Sequence, residues 1–432
     1  MPIHTTRRLL LGAVAGLALS LTAMGPVFAQ DPVTLSFLID NGAQTIPVAQ
    51  KLAAAFEAQN PGIKIDVESR PGGTEGDNLI KTRLATGEMT DIFLYNSGSL
   101  FQAINPQQNL VDLTDEPYEA NVLDSFKKVV SSDGRVYGVP IQTAMGGGVL
   151  YNKKIYADLG LSVPKTWAEF MANNAKIKAA GKTAVIQTFK DTWTSQLFVL
   201  GDFYNVQAAE PDFAEKYTAN QAKFATSPAA VKGFQHQEDV LKGGYLNADY
   251  GAATYEDGLR MLSAGEGAHY PMLTFAIAAL QQNYPDNLKD IGFFALPGDD
   301  AAKNGLTAWM PAGLFIPKTS EHQEEAKKFL AFVASTAGCD IQTEAVGVTG
   351  PYLVKGCALP ADAPPSVTDL LPYFEKADGN APALEFVSPI KGPALEQITV
   401  EVGSGIRPPA DGAALYDEDV RKQAQQLGLP GW

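Results

Sequence analysis

The chain has 432 residues, 45% of them hydrophobic and 19% charged, a balance that fits ordinary globular protein and excludes disordered and fibrous classes. That length exceeds what one hydrophobic core usually supports, so two lobes are expected. A formal net charge of −15 argues against nucleic acid as a partner, because phosphate binding needs a basic field.

Taken in chain order, the first segment reads as an export address. Arg7 and Arg8 precede an apolar run from Leu9 to Ala23, and small residues follow to Val27-Phe28-Ala29. This is the pattern of a signal peptide over residues 1–29, cleaved near Ala29, so the mature protein is expected outside the cytoplasm, most simply in a bacterial periplasm. Thr6 to Leu11 also resembles a twin-arginine signal, while paired arginines are common in ordinary leaders, and both export routes stay open. Cys339 and Cys357 are the only cysteines, so no lipid anchor is expected behind the leader. Losing two arginines and no acid moves the formal charge from −15 to −17, which favours solubility. No later apolar run reaches the ~18 residues of a membrane span.

Val33 to Ile39 predicts a strand that closes in the turn Asp40-Asn41-Gly42. Thr45 and Pro47 open a helix with Val48, Leu52, Ala55 and Phe56 on one face, stopped by Asn60-Pro61-Gly62. Ile63 to Val67 alternates as a strand, a second helix runs from about Asp77 to Gly87, and Asp91 to Tyr95 is a third strand ending in Asn96-Ser97-Gly98. This βαβαβ order implies a mostly parallel sheet covered by helices, with ligands in the crevice beyond the carboxyl ends of the strands. Both polar turns fall at that edge, which makes Asn41 a candidate contact. Helix-rich sequence then runs from about Lys153 to Gln282, with strand-like runs at Thr183 to Gln187 and Ile291 to Leu296. Loops are marked at Pro297-Gly298 and from Pro360 to Pro365.

Catalytic signatures are sparse. Beyond the leader, His236, His269 and His322 lack metal-ligand spacing, and no Gly-x-Ser-x-Gly elbow occurs; no metal and no cofactor are expected. Gly181-Lys182-Thr183 ends like a phosphate loop, but Lys176 stands where the first glycine belongs, and a helix-ending glycine before a strand is the simpler reading. Gly146-Gly147-Gly148 lacks the third glycine of a dinucleotide fingerprint and reads as a close backbone approach. Carboxylate pairs for glycosidase chemistry stay open, although no local signature singles one out. In an oxidising compartment Cys339 and Cys357 are expected to form a disulfide closing a modest loop, about 3 kcal/mol in the chain-entropy model.

Several fragments share an order: Thr90-Asp91-Ile92-Phe93, Leu110-Val111-Asp112-Leu113-Thr114, Tyr137-Gly138-Val139-Pro140, Leu150-Tyr151-Asn152-Lys153-Lys154, Leu159-Gly160-Leu161, Pro164-Lys165-Thr166-Trp167-Ala168-Glu169-Phe170, Gly265-Glu266-Gly267-Ala268, Leu296-Pro297-Gly298 and Ala326-Lys327-Lys328-Phe329-Leu330. In this order the chain resembles the extracellular solute-binding proteins of carbohydrate ABC importers, the maltose-binding type, over nearly everything beyond the leader. The resemblance implies an α/β, two-lobed periplasmic binding protein fold of type II, each lobe a mostly parallel sheet flanked by helices, with a sugar held in the cleft between them. It places residues 31–140 with 305–345 in one lobe and 141–304 with 346–432 in the other.

By the same resemblance Tyr95 and Asn96 edge the cleft on the first lobe, and Gln142 to Met145 follow the first crossing strand. Asp191 is the implied hydroxyl acceptor and Trp193 a stacking ring, because sugar C–H surfaces stack on aromatic faces while hydroxyls need fixed polar partners. Phe275 stands where the family more often has tryptophan, and Ala268-His269-Tyr270 departs from the usual Ala-Ala-Met, leaving Tyr270 as a local contact. Trp309 and Tyr352 complete the candidates, whereas Trp167 opens a helix and reads as structural. The expected function is a non-enzymatic, monomeric receptor that delivers a carbohydrate to the permease subunits of an importer. An exported glycan hydrolase, or a receptor for a polyamine or phosphate ester, are the alternatives.

Overall fold

The computed structural model describes residues 32–42, 44–376 and 378–432; the signal-peptide expectation lies outside them. Two sheets, of five and six strands, organise the chain. Their strands are β1 (Val33–Asp40), β2 (Ile63–Arg70), β3 (Ile92–Tyr95), β4 (Gly138–Pro140), β5 (Met145–Asn152), β6 (Thr183–Val185), β7 (Gly267–Leu273), β8 (Ile291–Ala295), β9 (Leu306–Trp309), β10 (Gly313–Phe315) and β11 (Asn380–Pro382). The first sheet runs β2-β1-β3-β10-β4 and the second β11-β9-β5-β7-β6, with β8 also on β5.

Local sequence explains the first lobe directly. Leu35, Phe37, Leu38 and Ile39 of β1 are fully buried, and the helix Thr45–Gln59 lays Val48, Ala49, Leu52, Ala53 and Phe56 over them. The expected apolar face is present, with Ala49 and Ala53 buried on it rather than Ala55. The next helix spans Gly73–Thr86, starting before Asp77 and ending at Gly87, whose φ of 75° only glycine adopts without strain.

Pairing is mixed where the sequence predicts mostly parallel sheets. β1 pairs in parallel with β2 and β3, as the βαβαβ order requires. Every antiparallel ladder within the two sheets contains β5 or β10. Both are crossing strands: β5 enters the second sheet four residues after β4, and β10 re-enters the first three residues after β9. A short crossing leaves no room for the helix that a parallel return needs.

The expected boundary at 305 is corrected by this topology. Thr307, Ala308 and Trp309 of β9 pair with Gly147, Gly146 and Met145, so the chain leaves the second sheet only after Trp309. A third crossing lies beside the first, since the Ala144 N–H donates to the Pro351 carbonyl at 2.8 Å. First-lobe contacts also continue past 345, with the Leu123 N–H donating to the Leu353 carbonyl at 2.9 Å.

In the second lobe Thr166 and Glu169 form a capping box at the helix Trp167–Ala179. Trp167 is structural, as expected: its ring stacks on His236 with centroids 3.7 Å apart, and its Nε1 donates to Asp239 at 2.9 Å. His269 is held between the Tyr156 hydroxyl at 2.7 Å and Asn174 at 2.9 Å. Burial lowers both imidazoles to about 3, so they pack as neutral rings. Gly181 has φ 77° before β6, the helix-ending role expected of it.

Cys339 and Cys357 are bridged, tying the helix Thr336–Val346 to the loop beyond the third crossing. The double variant Cys339→Ser/Cys357→Ser should lower unfolding free energy by about 3 kcal/mol in urea titrations. A change below about 1 kcal/mol would show that the loop is ordered without the bridge.

A second prediction concerns Asp202, 2% exposed, whose carboxylate accepts from Asn205 at 2.8 Å and stands 4.0 Å from His236. Burial pushes it up to about 7. Its folded-state pKa is raised, so its contribution to stability is present at acid pH and lost as pH rises through about 7. Asp202→Asn should therefore be more stable than the parent near neutrality. That advantage should shrink by about 1.4 kcal/mol per pH unit as pH falls from about 7 to about 4. Parallel stability-versus-pH curves for the two proteins would contradict it.

Candidate functional site

The first two crossings floor a cleft of about 590 Å³ between the lobes. Gln142, Met145, Met310, Pro311 and Ala312 come from the crossings themselves. Gln142 has φ 70°, and its backbone N–H donates to the Gln342 side chain at 2.6 Å, which holds a non-glycine residue in the left-handed region. Asp77, Lys81, Asn96, Ser97, Ser99 and Leu100 form the first-lobe wall; Gln196, Trp309, Glu385, Phe386, Lys391, Glu396 and Gln423 face them.

Trp309 is fixed at its ring nitrogen and over one ring face. Its Nε1 donates to Glu385 at 2.7 Å, and the other Glu385 oxygen takes Lys391 at 2.7 Å. Beneath it lies Gly147, where a Cβ would fall inside the indole, so only glycine leaves room for the ring. On the opposite wall Asp77 pairs with Lys81 at 2.6 Å and accepts the Tyr95 hydroxyl. Burial, then the Asp77 carboxylate, raise the Tyr95 phenol above its ordinary range, which keeps it a donor. Arg70 lies behind them, 6% exposed and donating to the Pro71 and Leu94 carbonyls at 2.9 and 3.3 Å.

Of the residues singled out from sequence, Asn96, Gln142, Met145 and Trp309 line this cleft. Tyr95 is 1% exposed and reaches it only through Asp77. Asn41 is an exposed turn residue outside the lining, its N–H donating to the Arg70 carbonyl at 2.8 Å. Trp193 and Phe275 are half-buried and form a separate trio with Tyr255, with centroids 5.3 to 6.0 Å apart. Asp191 serves that trio, accepting the Tyr255 N–H at 2.6 Å.

Two candidates are corrected. Tyr270, 1% exposed, shares a hydrogen bond of 2.7 Å with Thr188 inside the second-lobe core. Tyr352, 7% exposed, bonds Thr343 at 2.8 Å and the Cys339 carbonyl at 3.1 Å, bracing the helix that carries the disulfide. Both phenols are satisfied within protein. Sequence reasoning missed Asp77, Lys81, Gln196, Glu385, Lys391, Glu396 and Gln423. The i,i+4 spacing of Asp77 and Lys81 on a helix at the sheet edge was a usable signal; the C-terminal residues had none.

Chemically the cleft offers carboxylate acceptors, lysine and amide donors, and the small part of the Trp309 indole, 5% exposed, that reaches its wall. Among the described residues no group of three or more His, Cys, Asp or Glu could hold a metal, and no helix is long and apolar enough to cross a membrane.

A family profile described as bacterial extracellular solute-binding protein matches residues 42–338. The multiple sugar-binding protein of Streptococcus mutans serotype c is 25% identical over 352 residues, 80% of this chain and 81% of that protein. The diacetylchitobiose binding protein DasA of Streptomyces coelicolor is 26% identical over 70% of this chain and 69% of its own. A solved chitin oligosaccharide binding protein superposes with a TM-score of 0.77 at 22% identity, over 92% of this chain and 100% of that one. RafE in complex with raffinose gives 0.75 at 21% identity, over 91% and 99%. These structures share the two-lobed type II periplasmic binding protein fold, and with the profile spanning more than half of its length the chain belongs to the bacterial extracellular solute-binding protein family.

Proposed function

We propose that this chain is an exported carbohydrate receptor that closes on a mono- to oligosaccharide, as a monomer without a lipid anchor, and presents it to the permease subunits of an ABC importer. The observation that carries this reading is Trp309, an indole fixed by Glu385 and Gly147 in a cleft walled by amides and ionised side chains. Trp309, 5% exposed at the wall, sets apolar surface beside fixed acceptors and donors, which suits a ligand with C–H patches between many hydroxyls. The relatives named for multiple sugars and diacetylchitobiose, and the raffinose complex, support the same ligand class.

Lobe motion follows from contacts on both walls. A ligand touching Asp77 and Trp309 together binds the closed arrangement better than the open one, and that difference drives closure. The moving bodies in this reading are roughly 32–140 with 313–354 and 145–309 with 365–432, a division supported by the two sheets.

A thermal-shift screen over mono- and oligosaccharides, followed by calorimetry, tests the reading; recovery of the sugar unchanged separates a receptor from a hydrolase. Trp309→Ala should weaken sugar binding by about 1 to 3 kcal/mol, roughly tenfold to a hundredfold. Trp193→Ala and Phe275→Ala should each do the same if the outer trio also stacks on ligand. Melts of the ligand-free variants check that each is folded. Unchanged affinity in Trp309→Ala would remove the indole from the binding surface and sink the reading of the site.

A further inference from the structure

The groove between the lobes continues beyond the cleft. Past Phe386 lies a second chamber of about 670 Å³, reached by Gln102, Asn105 and Lys128 from one side and by Val387, Gln426 and Leu427 from the other. The two chambers share only Ser99, Glu385 and Phe386. Both lie between the same helices, Ser99–Ala103 of the first lobe and Pro409–Gln426 of the second: Gln423 lines one chamber and Gln426 the next.

The partition is an interlobe contact. Gly98 has φ 73°, and a Cβ there would come within 2.6 Å of both the Phe386 ring and the Glu385 carbonyl, so these groups rest directly on the glycine. Phe386 follows β11 of the second sheet, yet its ring packs against the first-lobe core. The base of the partition is anchored, because Glu385 is tied to both Trp309 and Lys391.

We propose that Phe386, seated on Gly98, is the end wall of the ligand chamber and restricts this protein to short saccharides. The inference rests on the sugar-receptor reading and adds chain length to it. A space of about 590 Å³ lies within the usual range for a ligand of drug size, about two or three sugar rings. A longer chain bound across Trp309 must displace Phe386 from Gly98 and so break a contact that joins the lobes.

Calorimetry with two length series, sucrose to raffinose to stachyose and chitooligosaccharides of increasing length, reads the effect. In the parent protein affinity should drop at least about tenfold once a chain exceeds the chamber. Phe386→Ala should erase the dependence on length, the ratio of short-chain to long-chain affinity falling from at least about tenfold to within about threefold. Phe386→Leu, which keeps an apolar contact on Gly98, should fall between them and guards against a folding defect in the alanine variant. Parent affinity that is level or rising with length overturns the end wall while leaving the receptor reading intact, as does an equal shift at every length in both variants. Failure of every sugar to bind overturns the receptor reading and the end wall with it.

Discussion

Between Gly146 and Gly148 the backbone of β5 carries no side chains, and its neighbours occupy that space. Leu370 lies where a Cβ at Gly146 would stand, the Trp309 ring covers Gly147, and Phe293 with the Phe294 carbonyl closes on Gly148. The same stretch pairs with β7 on one side and with β9 and then β8 on the other. Interiors pack at crystal-like density, so a methyl group at any of these positions would displace a strand or the indole. The cleft floor, the route of the second crossing and the orientation of Trp309 therefore depend on one tripeptide. Its low helix and strand propensity is offset by the packing it permits.

That dependence clarifies what the sequence could disclose. Strands and helices with strong periodicity, such as Val33 to Ile39 and the helix after Thr45, were legible because burial on one face is written every second or every third to fourth residue. The glycine triplet was legible as a close approach but not as the bed of a tryptophan 162 positions away, since nothing local names the partner. Sheet direction failed for a related reason: β5 and β10, which carry every antiparallel ladder of the two sheets, take their orientation from short crossings, not from their own residues.

The site divides along the same line. Gln142 and Met145 could be placed at the cleft because they adjoin a recognisable crossing strand, whereas nothing local separated Trp309, which lines the cleft, from Tyr352, which does not. Glu385 and Lys391 could not, because they sit among short elements after Ala383 where no period repeats often enough to be read. Tyr270 and Tyr352 show the opposite error. A tyrosine near a predicted site resembles a ligand contact, and only the fold reveals that Thr188 and Thr343 already satisfy the hydroxyls.

Closure depends on how the polar groups are distributed. The Asp77–Lys81 and Glu385–Lys391 pairs each lie within a single lobe, so opening the cleft breaks neither. Each wall is thus preorganised before a ligand arrives, which limits the side-chain ordering that binding must offset. The contact of Phe386 with Gly98, in contrast, joins the lobes without any ligand. A ligand that fits behind that wall adds its own bridging bonds to a contact already favourable in the closed state. One that pushes Phe386 aside must first replace it, and its differential affinity for the closed form falls by that amount. Discrimination between ligands in this arrangement arises from the free energy of closure more than from the number of hydrogen bonds at either wall.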